Sequence, residues 1–290
     1  MRNQRVGNQL SGFLKSGTLL SVLVIVNVSM WVLMLLFPLV DYLYAMPSGS
    51  AREGWYGWLA LSSQWGMLLR RPWTLLTYMF LHDGLWHILF NMLMLFWGGT
   101  MCCRYLGGKR FGWIYFVSGI VGAVLYLLVY NVFPIGRMQV STLVGASAAV
   151  LGVFVAVAAY VPNQEVGIWL VRTFQVKLKW LAIAFVIIDL LSIPAHNAGG
   201  HIAHLGGALT GWLYVVAIRH DIAGLLKRKP FAKTKQSPSS GSSRPLSDDE
   251  YNRRRAENQK KVDAILDKIS KYGYEGLTKS EKEFLFKYKG

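Results

Sequence analysis

The sequence predicts an all-α, polytopic membrane protein: a bundle of six transmembrane helices followed by a small cytoplasmic helical hairpin. Three observations carry that expectation. The 290 residues are 53% hydrophobic and only 16% charged, the balance of a membrane protein that carries a polar tail. Successive apolar runs are long enough to cross much of a hydrocarbon core of about 30 Å. Beyond residue 229 the composition turns polar, so a membrane domain (1–229), a linker (230–247) and a C-terminal module (248–290) are expected.

The first span is read at residues 19–40, after a basic segment carrying Arg2, Arg5 and Lys15. It is longer than a signal-peptide core and has no small-residue cleavage site directly after it, so it is expected to remain. Residues 41–72 hold Trp55, Tyr56, Trp58 and Trp65 among Gly and Ser, a composition that suits a segment lying at the membrane interface. Further spans are read at 86–104, 111–133, 141–161, 180–193 and 201–218. Residues 162–179 mix aliphatic and basic side chains and are read as a second interfacial segment.

Residues 233–244 are rich in Ser, Gly, Pro and Lys and read as a flexible linker. After Asp248-Asp249-Glu250, a helical stripe of Val262, Ile265, Leu266 and Ile269 is expected to end near Gly273. Thr278-Lys-Ser-Glu281 has the form of a capping box opening a second helix, with Phe284, Leu285 and Tyr288 on its apolar face. A module of this size buries too little surface to be self-sufficient, so it is expected to dock on a cytoplasmic partner whose identity is unknown.

The formal net charge is +16, shared equally between residues 1–218 and 219–290. In the first part Lys and Arg cluster between apolar runs, which points to membrane topology and away from nucleic acid. With six spans, thirteen Lys and Arg fall on the side of the termini and four (Arg52, Arg70, Arg71, Arg137) on the other. Both termini are therefore expected in the cytoplasm. Cys102 and Cys103 are adjacent, give no disulfide framework and fall at a cytoplasmic helix end, where thiols stay reduced.

The chemistry is centred on Val144-Gly145-Ala146-Ser147-Ala148, inside an uncharged stretch. A serine among small residues is first of all a packing residue. What gives Ser147 chemical meaning is that His87, Asn91 and His204 also lie inside apolar segments, where polar groups are costly. His87 and Asn91 are four apart and share one helix face, offering N–H groups of the kind that hold a developing oxyanion. Gly207 and Gly211 form a small-xxx-small pair, and Ala148 and Gly152 are spaced likewise. Helices pressed together at these pairs would bring Ser147 and His204 within hydrogen-bond reach, as general-base activation requires. With the expected topology all four polar residues fall just below the outer surface. Gly145-Ala-Ser147-Ala-Ala149 is not a Gly-x-Ser-x-Gly elbow. His201 and His204 have no carboxylate cluster in sequence to complete a metal site. Asp189, the lone acid of its helix, could orient a histidine as a triad acid does, but is expected instead to satisfy backbone or loop donors near the outer end; His201 is expected to bond at the helix mouth and His82 to be structural.

Trp73-Thr-Leu-Leu-Thr-Tyr-Met-Phe-Leu-His82, His87-Ile-Leu-Phe-Asn91, Gly145-Ala-Ser147 and Ala203-His204-Leu-Gly-Gly207-Ala-Leu-Thr-Gly211 follow one another in order. Over about residues 70–218 the chain thereby resembles the rhomboid family of intramembrane serine proteases. The resemblance implies Ser147 as nucleophile and His204 as general base, a dyad without a third member. It also implies oxyanion donors at His87, Asn91 and the Ser147 backbone N–H, transmembrane protein substrates, and no metal or cofactor. Three positions depart from the family pattern: Ala148 stands where Gly is usual and Leu151 where an aromatic is frequent. Cys102 stands where a Glu would pair with an Arg, although Arg104 is kept. The tail resembles a module appended to some bacterial rhomboids.

The function expected is hydrolysis of single-span membrane proteins near their outer membrane boundary, in a bacterial inner (cell) membrane. The alternative is a non-proteolytic rhomboid-like protein that binds membrane clients, and a transporter is a weaker third. The polar groups cluster near one surface, where a transporter would need them at the midplane.

Overall fold

The computed structural model describes residues 12–134, 136, 140–168, 171–194 and 197–220, with scattered positions between 261 and 284. Arg137, the linker at 233–244 and Asp248-Asp249-Glu250 lie outside the described residues. The chain divides into two compact units, residues 1–229 and 230–290.

The first unit opens with α1 (Leu19–Met34), which begins where the Thr18 hydroxyl accepts the Ser21 N–H at 3.3 Å. The apolar run continues into α2 (Phe37–Leu43), with Pro38 in its first turn, where a missing N–H is not needed. The aromatic connection at 41–72 is not a plain loop. It contains α3 (Ser50–Leu59), β1 (Leu61–Ser62) and α4 (Trp65–Arg70). Buried Asp41 holds the start of α3 by accepting the Gly49 and Ala51 N–H groups, each at 2.8 Å. Trp58 stacks on Trp73 at 6.0 Å between centroids, with the Arg71 guanidinium over the Trp58 ring.

After α5 (Thr74–Thr77) and a 3-10 turn at Tyr78–Phe80 come the main helices. These are α6 (Leu85–Tyr105), α7 (Gly108–Val132), α8 (Ser147–Tyr160), α9 (Leu178–Ser192) and α10 (Ala198–Arg219). Four helical segments, 19–43, 85–105, 108–132 and 198–219, are long and apolar enough to cross a membrane. α8 and α9, at 14 and 15 residues, are shorter. At 1.5 Å per residue they span only about 21–23 Å.

Two expectations are corrected here. The molecule is mostly helical but not all-α: two short antiparallel pairs are present. β1 pairs with β2 (Thr142–Leu143), and β3 (Glu165–Ile168) pairs with β4 (Val171–Lys177). Within 162–179, β3 and β4 pair and lead into α9. The span read at 141–161 is also not one helix. Residues 141–146 run extended and turn, so the helix starts at Ser147.

α10 lies at the centre of the bundle. Its Gly207 and Gly211 face α8 so closely that a Cβ on either would overlap a backbone carbonyl, that of Ala148 and that of Gly152. On its other side a Cβ on Gly122 of α7 would stand 2.6 Å from the Ala203 carbonyl oxygen. Such approaches let backbone dispersion and weak Cα–H contacts supply the adhesion that water exclusion cannot supply inside lipid. The outward faces are apolar too. Leu89, Phe90, Leu93 and Phe96 on α6, and Ile183, Ile187, Ile188 and Leu191 on α9, are exposed. An uninterrupted apolar band of this kind is a lipid-facing surface.

In the second unit the described residues are helical within 261–269 and 280–284. The Thr278 N–H donates to Glu281 Oε2 at 2.8 Å and the Glu281 N–H to Thr278 Oγ1 at 3.4 Å, the reciprocal bonds of a capping box. Lys268 Nζ reaches Glu281 at 2.6 Å. The ammonium, more than the cap bonds, holds the Glu281 carboxyl down at about 2. Leu266, Leu285 and Tyr288 of the expected stripes lie outside the described residues.

Candidate active site

Ser147 is the first residue of α8, not a turn or two inside a longer helix. What sets this start is tertiary. Leu61 and Ser62 pair with Leu143 and Thr142, the Ser63 N–H donates to the Ser141 carbonyl at 2.9 Å, and the Gly145 N–H donates to the Tyr78 carbonyl at 2.9 Å. Tyr78 is itself buried and anchored through its hydroxyl to the Gly119 carbonyl at 2.8 Å. The chain then turns at Gly145, whose φ of +115° disfavours any side chain. A Cβ there would stand 2.7 Å from His87 Nε2 and 3.6 Å from Ser147 Oγ, so the imidazole and the hydroxyl flank one bare Cα.

Starting a helix at Ser147 has an electrostatic consequence. Its amide N–H belongs to the first turn, whose N–H groups have no partner inside the helix, and it sits at the positive end of the helix dipole. An oxygen held beside Ser147 therefore faces a donor and a favourable field.

His87 lies in the first turn of α6. The Asp83 backbone N–H donates to His87 Nδ1 at 3.2 Å, so in the neutral ring the proton sits on Nε2, which then acts as a donor towards Gly145. The His82 ring, packed edge-on at 5.0 Å, forms a wall behind it. His82 is fully buried, which together with nearby His87 pushes its pKa down to about 3 and keeps it neutral. Asp83 also forms an ion pair with Arg52 of α3, tying the first connection to the loop that holds His87. Asn91, 7% exposed, donates through Nδ2 to the His87 carbonyl at 2.9 Å. An amide carries two N–H bonds, so one stays available beyond that contact.

His204 lies in the second turn of α10, on the helix whose glycines press against α8. Ser147 and His204 are both part-exposed. Among the described residues no hydrogen bond joins Ser147 Oγ to His204. The expectation of direct hydrogen-bond reach is thus not met, although the helices are packed backbone to backbone. Such bonds are frequently long before substrate binds.

Asp189 meets two histidines in place of the backbone or loop donors expected for it, while His201 bonds at the mouth of α10. Asp189 is 7% exposed in the last turn of α9 and, among the described residues, bonds no backbone donor. Its Oδ1 lies 2.8 Å from His204 Nδ1 and 2.8 Å from His201 Nδ1. His201 sits one turn before His204, and the two rings meet edge to face at 5.9 Å. The same three side chains bring a carboxylate and two imidazoles within 4.8 Å, a donor set that a divalent metal also accepts. The signals for this cluster were a lone acid in an apolar helix and two histidines at i and i+3. Which way α9 turns that acid is not written in either.

Fold and site define an α-helical membrane protein with a serine, three histidines, an asparagine and an acid gathered at one end of the bundle. The Rhomboid domain matches residues 69–221, more than half of the chain, and the chain belongs to the rhomboid family. A family of unknown function, DUF6576, matches residues 247–289. The chain is 32% identical over 154 residues to the rhomboid protease AarA of Providencia stuartii, covering 48% of this chain and 53% of that protein. It is also 32% identical over 161 residues to the rhomboid protease GluP of Bacillus subtilis, covering 56% and 28%. With RHOMBOID-like protein 6, mitochondrial, of Arabidopsis thaliana it shares 33% identity over 141 residues, 48% of this chain and 41% of that protein. The chain thus spans about half, or less, of the length of the curated relatives it matches. It is an integral membrane protein.

Proposed function

We propose that the protein is an intramembrane serine endopeptidase that hydrolyses peptide bonds of single-span membrane proteins near the outer membrane boundary, with both its termini in the cytoplasm. One observation carries this reading above the others. A half-buried serine opens a helix beside a glycine elbow, with a proton-bearing imidazole nitrogen on the other side of that glycine. The arrangement suits attack by Ser147 Oγ on a carbonyl whose oxygen turns towards the Ser147 N–H, His87 Nε2–H and Asn91 Nδ2. His204 Nε2 takes the serine proton as the C–O bond forms and returns it to the leaving amine as the C–N bond breaks. Water then attacks the acyl-enzyme, losing a proton to His204, and as the acyl C–Oγ bond breaks His204 returns that proton to Ser147 Oγ and the new carboxylate leaves. The names of the bacterial relatives, both rhomboid proteases, agree with this chemistry.

Asn91→Ala tests the oxyanion role. Removing one such donor costs on the order of a hundredfold in turnover, and the expected result is a loss of that size with membrane insertion intact. Turnover at the wild-type rate would make Asn91 a packing residue. The division at residue 229 gives another expectation. Deleting 230–290 should leave a folded membrane unit whose cleavage of a model substrate in detergent changes by no more than about threefold, since a unit with its own core folds alone. A truncated protein that is folded yet inactive would show that the module controls catalysis.

A further inference from the structure

We infer that Asp189 is a positioning residue for the reaction. Its carboxylate orients the His204 imidazole through Nδ1 and stabilises the imidazolium that forms, so that the chain works as a Ser147–His204–Asp189 triad with His201 as a second arm on the same oxygen. The inference rests on the proteolytic reading above and adds to it a group that the reading does not need.

The placement of Asp189 asks for an explanation. α9 shows most of its surface to the outside; Leu178, Ala182 and Asp189 are its buried described residues. A carboxylate turned inward from the apolar stretch that follows Lys179 in this helix is costly unless something inside engages it. What engages it is specific: His204 Nδ1 at 2.8 Å, the ring atom across from the one that would face the serine. A carboxylate accepting from Nδ1–H leaves the lone pair on Nε2, the protonation pattern a general base needs. When Nε2 takes the serine proton, the ring becomes a cation beside an anion that is already in place, so no reorganisation is required at that moment.

His201 completes the support. Its Nδ1 lies at 2.8 Å from the same Oδ1, and its ring lies edge to face against His204. No other aromatic ring packs on His204 among the described residues, so the base is held by the carboxylate and by this neighbour. Leu151, one turn into α8 from Ser147, has no ring to offer.

The experiment uses the full-length protein purified in detergent, as wild type, Asp189→Asn, Asp189→Ala and His201→Ala. Four quantities are read: kcat and KM for a single-span substrate, the rate of Ser147 labelling by a fluorophosphonate, and Tm. Asn keeps an accepting oxygen and removes the charge; Ala removes both. The expected order of kcat is wild type, then Asp189→Asn lower by about a hundredfold or more, then Asp189→Ala lower still. KM and Tm should stay close to wild type in Asp189→Asn, with labelling falling in parallel with kcat. His201→Ala, which leaves the Asp189–His204 bond, should lose less than about tenfold. Wild-type kcat and labelling in Asp189→Asn would overturn the inference. So would a lowered Tm with unchanged turnover per folded molecule, which would make Asp189 a tie between α9 and α10. A wild-type protein that neither cleaves nor labels at Ser147 would overturn the proteolytic reading itself and this inference with it.

Discussion

Ser147→Ala and His204→Ala should each lower cleavage of a single-span membrane substrate by at least about 10⁴-fold, with expression and membrane insertion unchanged, and the double variant should be no worse than either alone. The size follows from the unit the two residues form. Without Oγ there is no covalent acyl intermediate, and without the imidazole the hydroxyl keeps its proton at neutral pH. What remains in either variant is the first turn of α8, His87 and Asn91, which bind the carbonyl but cannot start the reaction. Non-additivity separates this account from one in which the serine and histidine contribute independently, because independent losses would multiply. Neither substitution should unfold the protein. Ser147 Oγ makes no hydrogen bond among the described residues, and α10 packs on α8 at Gly207 and Gly211. Substantial cleavage by Ser147→Ala would remove the serine from the chemistry.

Gly207→Ala should be a severely damaging single methyl, because it falls between the two helices that carry Ser147 and His204. The added Cβ would overlap the Ala148 carbonyl oxygen, with the carbonyl carbon at 2.8 Å and the Ala148 Cα at 3.2 Å. All three are backbone atoms of a helix and have no rotamer to retreat into, so α8 and α10 must separate. Overpacking of this kind costs about 1–3 kcal/mol. The functional cost is larger, because the same two helices carry Ser147 and His204, and a misplacement of about 1 Å costs on the order of a hundredfold in rate. The expected result is a Tm lowered by several degrees together with a drop in kcat of about that size. Leu209→Ala, at an exposed position on the same helix, serves as the comparison and should change neither quantity much. If Gly207→Ala melts and turns over like wild type, the close packing of these helices is not what brings the two groups together.

Much of the fold was readable because membrane helices announce themselves. Length and apolar content located α6, α7 and α10 to within three residues at every end, and the spacing of Gly207 and Gly211 against Ala148 and Gly152 pointed to the helix pair that packs. The start of α8 was not readable. Nothing local stops a helix at Ser147; the stop comes from pairing with residues 61–63, from the Tyr78 carbonyl and from the positive φ of Gly145, all set by distant parts of the chain. The β3–β4 hairpin was less legible: its Val and Thr residues favour strand, but apolar–polar alternation holds only over Phe174-Gln-Val-Lys177. Asp189 was noticed as a lone acid, but its partners depend on the rotation of α9 about its axis, which a mostly outward-facing helix leaves undetermined by hydropathy. His87, Asn91 and His204 stood out because ionisable and amide groups in apolar runs are costly, and Ser147 only in their company.

The central claim is that this chain cuts membrane proteins. Its most direct test is to reconstitute the purified full-length protein in vesicles with a single-span substrate and identify the new termini by mass spectrometry. The account predicts one dominant cut close to the outer membrane boundary, present with wild type and absent with Ser147→Ala. Stable association of the substrate with wild-type protein and no new termini would contradict it and favour a client-binding role instead.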